Sequence, residues 1–439
     1  MNYRERKNSV SSTATRRIAR AGCLTGTVAM PGDKSISHRY AMLAAVAEGT
    51  SRIHSFAESL DCQSTLNCLK SLGVRIERRG NEVVIAGCGL DGLRTPAEPL
   101  DAGNSGSTIR MLSGILSGQP FRTVIGGDAS LSRRPMKRII EPLARMGARI
   151  ESQEGGLPPL TINGGSLIPI RYELPVASAQ VKTAVLFAGL YAGGRTEVVE
   201  LRVTRDHSEI ALRQFGVNVE RQDCTITIQG RGRLSAQDLT VPGDISSAAF
   251  FLVAGLLVPG SHLTLQNVGL NATRTAILDF LKSIGGEINI LDLETRNGEP
   301  VGSVSVKSSA LRGGEIPAEI IPGLIDELPV LAVLGTQTEN GLVFRGAQEL
   351  RVKESDRIVA VADNLRRMGA EVEEFADGLR VPGHQRLSGA EIDSYGDHRI
   401  AMAFSIAGLV AGGTTTVRNS DCVQISFPSF FEMIAMVAR

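Results

Sequence analysis

Two short stretches of the sequence concentrate groups that could do chemistry. Asp33-Lys34-Ser35-Ile36-Ser37-His38-Arg39, introduced by Pro31-Gly32, lies between an apolar run (Thr27 to Met30) that reads as a strand and a run (Tyr40 to Ala47) that reads as a helix. Pro-Gly stops the strand, and Asp33 or Ser35 can cap the helix by accepting from its first free N–H groups. Ser35 and Arg39 then lie one turn apart on one face, and Lys34 stands at the positive end of the helix dipole. Backbone donors, a hydroxyl, an ammonium and a guanidinium at one spot suit a phosphate or carboxylate. A capped helix with solvated charges is the plain alternative. In the second stretch, Arg351-Val-Lys353-Glu354-Ser355-Asp356-Arg357, Lys353 and Arg357 are four apart on one helical face, with Glu354 three before Arg357. Glu354 and Asp326 are the candidate acid/base groups. Nearby cations favour ionised carboxylates, so either serves readily as a base, whereas an acid role requires burial. A salt-bridged solvated face is the alternative here.

The elements that must position these residues recur. Five helix-like segments end alike, on Leu-x-x-x-Gly followed three residues later by Ile or Val, with glycines at 73, 147, 216, 285 and 369. Each glycine suits the left-handed cap that closes a helix, and a strand follows it. Spacings of 69 to 84 residues, with a sixth unit ending at Phe430 to Val437, mark a duplicated supersecondary block. Every unit also carries a helix with almost no polar face: Tyr40–Ala47, Ser107–Leu116, Val181–Leu190, Ser247–Leu256, Leu328–Leu334 and Ile400–Val410. Such helices belong inside a domain. Six units predict an α/β protein of two globes, each with three helices inside and sheets outside. Pro-Gly punctuates the chain at both expected crossings, giving residues 1–32 plus 244–439 as one domain and 33–243 as the other, with hinges near 30–34 and 240–244.

The N-terminal ends of the inner helices read as caps: Asp33, Asn104-Ser105-Gly106, Ser178-Ala179-Gln180, Asp244, Asp326-Glu327 and Asp397-His398-Arg399. Caps do not account for the cations around them, namely Lys34, Arg39, Arg133, Arg134, Lys182, Arg205, Lys353, Arg357 and Arg399. If the inner helices point one way, their positive ends face one cleft holding a ligand with several negative charges. Arginine at most of these positions favours bidentate capture of carboxylate or phosphate.

Composition narrows the partners. With 439 residues, 42% apolar and 21% charged, the chain is ordinary for a globular protein of two or three domains. A net charge of +1 and 4% aromatic residues speak against nucleic acid. The longest apolar run, Ala248 to Val258, is too short to span a bilayer. Six scattered cysteines without metal-ligand spacing read as reduced thiols, which points to the cytoplasm. The basic, Ser/Thr-rich residues 1–20 read as a flexible tail. Gly87-Cys-Gly89-Leu-Asp-Gly92 matches a dinucleotide-binding pattern, but Pro96 and Pro99 deny it the helix it needs.

Pro31–Arg39, Gly103–Arg110, Arg134-Pro135, Ser178–Gln180, Asp326, Arg351–Arg357 and Asp397–Arg399 together closely resemble the 5-enolpyruvylshikimate-3-phosphate synthase family, from about Gly26 to about Met433. The resemblance implies two inverse α/β barrels of three units each. It also implies transfer of the enolpyruvyl group of phosphoenolpyruvate to the 5-hydroxyl of shikimate-3-phosphate, without metal or organic cofactor, on the route to chorismate and aromatic amino acids. By motif, Asp326 takes the hydroxyl proton, while Lys34 and Glu354 handle the proton at the phosphoenolpyruvate methylene. Lys34, Ser35, Arg39, Ser178, Ala179, Gln180, Arg205, Asp326 and Lys353 would hold shikimate-3-phosphate. Lys34, Gly106, Arg134, Gln180, Arg357 and Arg399 would surround phosphoenolpyruvate. The wording of the first motif is nearer the divergent bacterial subgroup, some of whose members tolerate the inhibitor glyphosate, while Gly106 argues for sensitivity. One position departs: Ile425 stands where many members carry Lys.

Two competing readings differ in kind. UDP-N-acetylglucosamine enolpyruvyl transferase shares the fold and donor but uses a loop cysteine, and Gly126 to Pro135 contains none. A non-catalytic anion-binding or RNA-binding module would leave Asp326 and Glu354 without a task. No feature marks a subunit interface, so a monomer is expected.

Overall fold

A computed structural model describes residues 14–439. Six inner helices form as the apolar runs predict, all but the fifth starting earlier than the run itself: Lys34–Val46, Gly106–Ser117, Ala179–Gly189, Ile245–Leu257, Leu328–Gly335 and His398–Val410. The extension comes from their caps. The side chains of Asp33, Ser105, Ser178, Asp244 and Asp397 accept from the free N–H groups of Ile36, Thr108, Val181, Ser246 and Arg399. Glu327 precedes the remaining helix and makes no such bond.

The outer helices Leu60–Ser71, Lys137–Arg145, His207–Gln214, Ala276–Ser283 and Arg357–Arg367 each close at the expected glycine, with φ between +81° and +108°. Three units, residues 100–163, 171–229 and 314–381, order their strands alike: a strand ahead of the inner helix pairs parallel with the strand behind it, and an antiparallel hairpin after the outer helix completes a four-stranded sheet. Two sheets borrow strands across the sequence. Thr25–Ala29 pairs with His262–Gly269, and Asp238–Thr240 pairs with Glu48–His54.

The sixth sheet corrects an expectation. Thr15–Ala19 is no tail but a strand, antiparallel to Thr414–Arg418, and it buries Ile18 against the inner helix His398–Val410, where a Cβ on Gly408 would lie 3.0 Å from Ile18. Of the expected tail, residues 1–13 lie outside the described residues. The pattern Gly87 to Gly92 continues into no helix. Its glycines serve packing, since a Cβ on Gly87 would lie 2.2 Å from the carbonyl of Ala47.

Buried apolar side chains form two clusters, one drawn from residues 36–241 and the other from 18–30 and 245–437. The chain crosses between them twice, through Pro31-Gly32-Asp33 and Pro242-Gly243-Asp244, which run side by side. The Asp33 N–H donates to the Pro242 carbonyl at 2.7 Å, and that of Asp244 to Pro31 at 2.8 Å. Only glycine fits between them: a Cβ on Gly32 would sit 1.8 Å from the Ser55 carbonyl oxygen.

Candidate active site

The N-terminal ends of the inner helices bring together residues from both clusters. At the first, the Lys34 ammonium donates to Asp61 at 2.8 Å. Burial alone would lower its pKa, but the Asp61 carboxylate outweighs this and raises it above the ordinary value. One turn on, Arg39 bonds back to the Ser35 carbonyl (2.8 Å) and is held by Ser208 (2.7 Å) and Thr183 (3.0 Å). At the third inner helix, Ser178 is the cap, Ala179 the first residue, and Gln180 accepts from Arg110 at 2.9 Å while donating to Ser107 at 3.0 Å. Gly106 opens the second inner helix beneath Arg110 and Arg134. A Cβ there would lie 2.6 Å from the nearer Nη1 of Arg110 and 3.6 Å from that of Arg134.

The other cluster supplies carboxylates and more cations. Asp326 accepts from Arg205 at 2.7 Å and lies 3.6 Å from Arg357. Glu354 sits between two guanidiniums, Arg357 at 2.7 Å and Arg134 at 3.1 Å. Arg357 in turn donates to Asp397 at 2.8 Å, and Arg399 donates to the Asp326 carbonyl at 3.2 Å. Burial opposes ionisation of both acids. It is outweighed at Asp326 by Arg205, Arg399, Lys353 and Arg357, and at Glu354 by Arg357, Arg134, His398 and Lys353, so both carboxyls titrate well below their ordinary range. Burial pulls Lys353 down, and Arg357 adds to this. Arg357 Nη1, Arg134 Nε, Asp61 Oδ1 and His398 Nδ1 are buried without a hydrogen-bond partner among the described residues. Unpaired buried polar atoms of this kind are costly unless a ligand satisfies them.

All fourteen residues singled out by motif therefore fall in one region. Two cations expected there do not. Lys182 is fully buried and bound to Glu200 (3.1 Å) and Glu209 (2.7 Å), so its charge is already matched inside the core. Arg133 is exposed, with its side chain turned back to the Ala129 carbonyl. The second stretch also differs from its reading. Lys353 and Glu354 precede the helix, because Asp356 caps Arg357–Arg367 by accepting from Val359. The Glu354–Arg357 pair thus closes across a turn. Ile425 is half-buried in a short 3-10 segment, Ser420–Ile425.

Asp61, Arg110 and Glu327 were missed as site residues. Nothing in local spacing marks Asp61, which reaches Lys34 only through packing of the outer helix Leu60–Ser71. Arg110 had a signal, lying four residues after Gly106 on the same helix.

The geometry agrees with comparisons to known proteins. Residues 18–434 match the family model described as EPSP synthase (3-phosphoshikimate 1-carboxyvinyltransferase). A Solibacter usitatus protein named 3-phosphoshikimate 1-carboxyvinyltransferase is 56% identical over 424 residues, covering 97% of this chain and 100% of that one. The solved structure of EPSP synthase from Acinetobacter baumannii superimposes with a TM-score of 0.86 at 43% identity, over 97% and 98% of the two chains. The enolpyruvyl transferase NikO from Streptomyces tendae shares the fold, with a TM-score of 0.78 at 19% identity over 96% of each chain. The two-domain inverse α/β barrel, the inner-helix ends and these matches agree, and the chain belongs to the EPSP synthase family.

Proposed function

We propose that the cleft transfers the enolpyruvyl group of phosphoenolpyruvate to the 5-hydroxyl of shikimate-3-phosphate and releases inorganic phosphate, the chorismate-forming branch's enolpyruvyl step. The observation that carries this reading is the pairing of Asp326 and Glu354, both ionised, with a surplus of cations spread over both domains. Two ligands bearing phosphates and carboxylates need such a surplus, and arginine forks match their planar oxygens.

In the reaction, the 5-hydroxyl oxygen bonds to C2 of phosphoenolpyruvate while C3 takes a proton. The tetrahedral adduct then gives up a C3 proton and expels phosphate, restoring the double bond. Asp326 removes the hydroxyl proton, and Lys34 with Glu354 moves the C3 proton. Ser35, Arg39, Ser178, the Ala179 backbone, Gln180, Arg205 and Lys353 hold shikimate-3-phosphate. Gly106, Arg134, Gln180, Arg357 and Arg399 surround phosphoenolpyruvate. Arg205 and Arg134 each bond a carboxylate of the opposite domain, so anionic substrates exchange these partners for their own oxygens. Their charge beside Asp326 and Glu354 raises both carboxyls toward a range useful for proton transfer.

We place the domain division at 33–243 against 1–32 plus 244–439, with hinges at 30–34 and 240–244, on the two neighbouring crossings. We also propose a cytoplasmic monomer: the sequence marks no subunit interface, and the six cysteines are unpaired.

Phosphate release from the purified chain, with phosphoenolpyruvate alone and with shikimate-3-phosphate added, tests the reading. Release should need both substrates, survive EDTA, and fall by about 10²–10⁴ in Asp326→Ala. Release with UDP-N-acetylglucosamine instead would assign the chain to the sister reaction.

A further inference from the structure

We infer that Arg274, Ser246 and Glu327 form a buried relay that positions Arg399, and that they act on phosphoenolpyruvate binding without touching it. The inference rests on the proposed role of Arg399.

The relay starts at the hinge. Arg274, in the loop ahead of Ala276–Ser283, lies 3.5 Å from Asp33 and 3.6 Å from Asp244, the caps of the two inner helices that follow the crossings. Its Nη2 donates to the Ser246 hydroxyl at 2.7 Å, and that hydroxyl donates to Glu327 Oε1. A serine has one proton to give, so accepting from Arg274 leaves its O–H committed to Glu327 and fixes the direction of the whole chain. The same Glu327 oxygen lies 3.7 Å from Nη1 of Arg399, whose hydrogen bond goes to the neighbouring Asp326 carbonyl. All four side chains are buried, with relative exposures of 5% for Arg274, 2% for Ser246, 4% for Glu327 and 8% for Arg399.

Glu327 is otherwise unexplained. It occupies the cap position of Leu328–Gly335, yet it makes no cap bond and spends its charge on Ser246 and Arg399. A buried carboxylate is costly unless it is paired. Here it pairs with a cation of the cleft on one side and, through one hydroxyl, with the hinge arginine on the other. Because Asp33 also caps the helix that carries Lys34, the relay links the placement of two cleft cations in different domains. Arg399 has no other acidic side-chain partner within salt-bridge distance among the described residues, so loss of Glu327 frees its guanidinium from the position in which it meets substrate.

The test is steady-state kinetics of phosphate release by the full chain, varying each substrate in turn, for Glu327→Gln, Arg274→Gln, Ser246→Ala and, as calibration, Arg399→Gln. The three relay variants should each raise KM for phosphoenolpyruvate roughly tenfold and leave KM for shikimate-3-phosphate within about twofold. The double variant of Glu327→Gln with Arg274→Gln should be no worse than the more affected single one, since both cut one chain. Equal rises in both KM values, or a loss of kcat alone, would overturn the relay. Ser246→Ala removes only the joint and keeps the buried charges, so an unchanged KM in that variant overturns it even where the charged variants fail to fold. An unchanged phosphoenolpyruvate KM in Arg399→Gln would instead overturn the assignment of Arg399 itself.

Discussion

Arg205 and Asp326 meet across the boundary between the two cores, Nη2 to Oδ2 at 2.7 Å, with both side chains largely buried. Opposite charge so placed ties the closing of the cleft to the ionisation of the proposed base. Of the cations that lower the Asp326 carboxyl, Arg205 acts most strongly.

Arg205→Ala should therefore do two things. KM for shikimate-3-phosphate should rise roughly tenfold to a hundredfold with loss of a charge-assisted contact. The acid limb of the kcat profile should move to higher pH as Asp326 becomes easier to protonate. Kinetics over the acid range decide it; an unmoved limb would mean that another group is the base.

Asp61→Asn isolates the proton on Lys34. Burial lowers that ammonium and Asp61 raises it, with the second effect dominant. Without the carboxylate, Lys34 loses its proton at lower pH, so the alkaline limb of activity should shift downward. The reaction run from neutral to alkaline pH shows the shift or its absence.

Glu354 and Asp326 set how the fold responds to acid. Both are depressed, so their contribution to stability is full above the ordinary values of 4.5 and 3.8 and is lost as pH falls through the folded values. Asp61, raised by burial despite Lys34, works the other way. Urea midpoints of the wild type and Glu354→Gln should therefore differ most near neutrality and converge as pH drops below 4.5. A difference independent of pH would contradict the depressed carboxyl.

Gly32→Ala should destabilise the chain by about 2 kcal/mol or more, because its Cβ would fall 1.8 Å from a backbone oxygen that cannot move freely. Gly165, with nothing within 4 Å of a Cβ, is the control and should be near neutral. Denaturant midpoints give both values.

Legibility in the sequence followed the distance over which each feature is determined. Inner and outer helices were readable because their evidence is local: a polar cap, an apolar run, a glycine at the end. The cations of the cleft were readable because each lies within a few residues of such a cap. Lys182 misled for the same reason, since its two glutamates arrive from a strand end and a different helix. The strand Thr15–Ala19 was invisible because its partner, Thr414–Arg418, stands at the other end of the chain. The spacing of Lys353 and Glu354 from Arg357 suits a helix, whereas Asp356 makes the better cap and starts the helix after them. Asp61 and Glu327 act only through tertiary contacts, which no short window contains.

The borrowed strands also set an order of assembly. The core of residues 36–241 has all its strands once Thr240 has been made, and can bury its apolar surface while the rest of the chain is still being synthesised. The other core cannot. Thr25–Ala29 must wait for His262–Gly269, and Thr15–Ala19 for Thr414–Arg418, so among the described residues the first strand made is completed by the last. A chain stopped short of Thr414 would carry one finished core beside one with an open sheet edge and an uncovered Ile18. Unfinished copies would thus present exposed apolar surface that finished ones hide, and cellular quality control could tell the two apart.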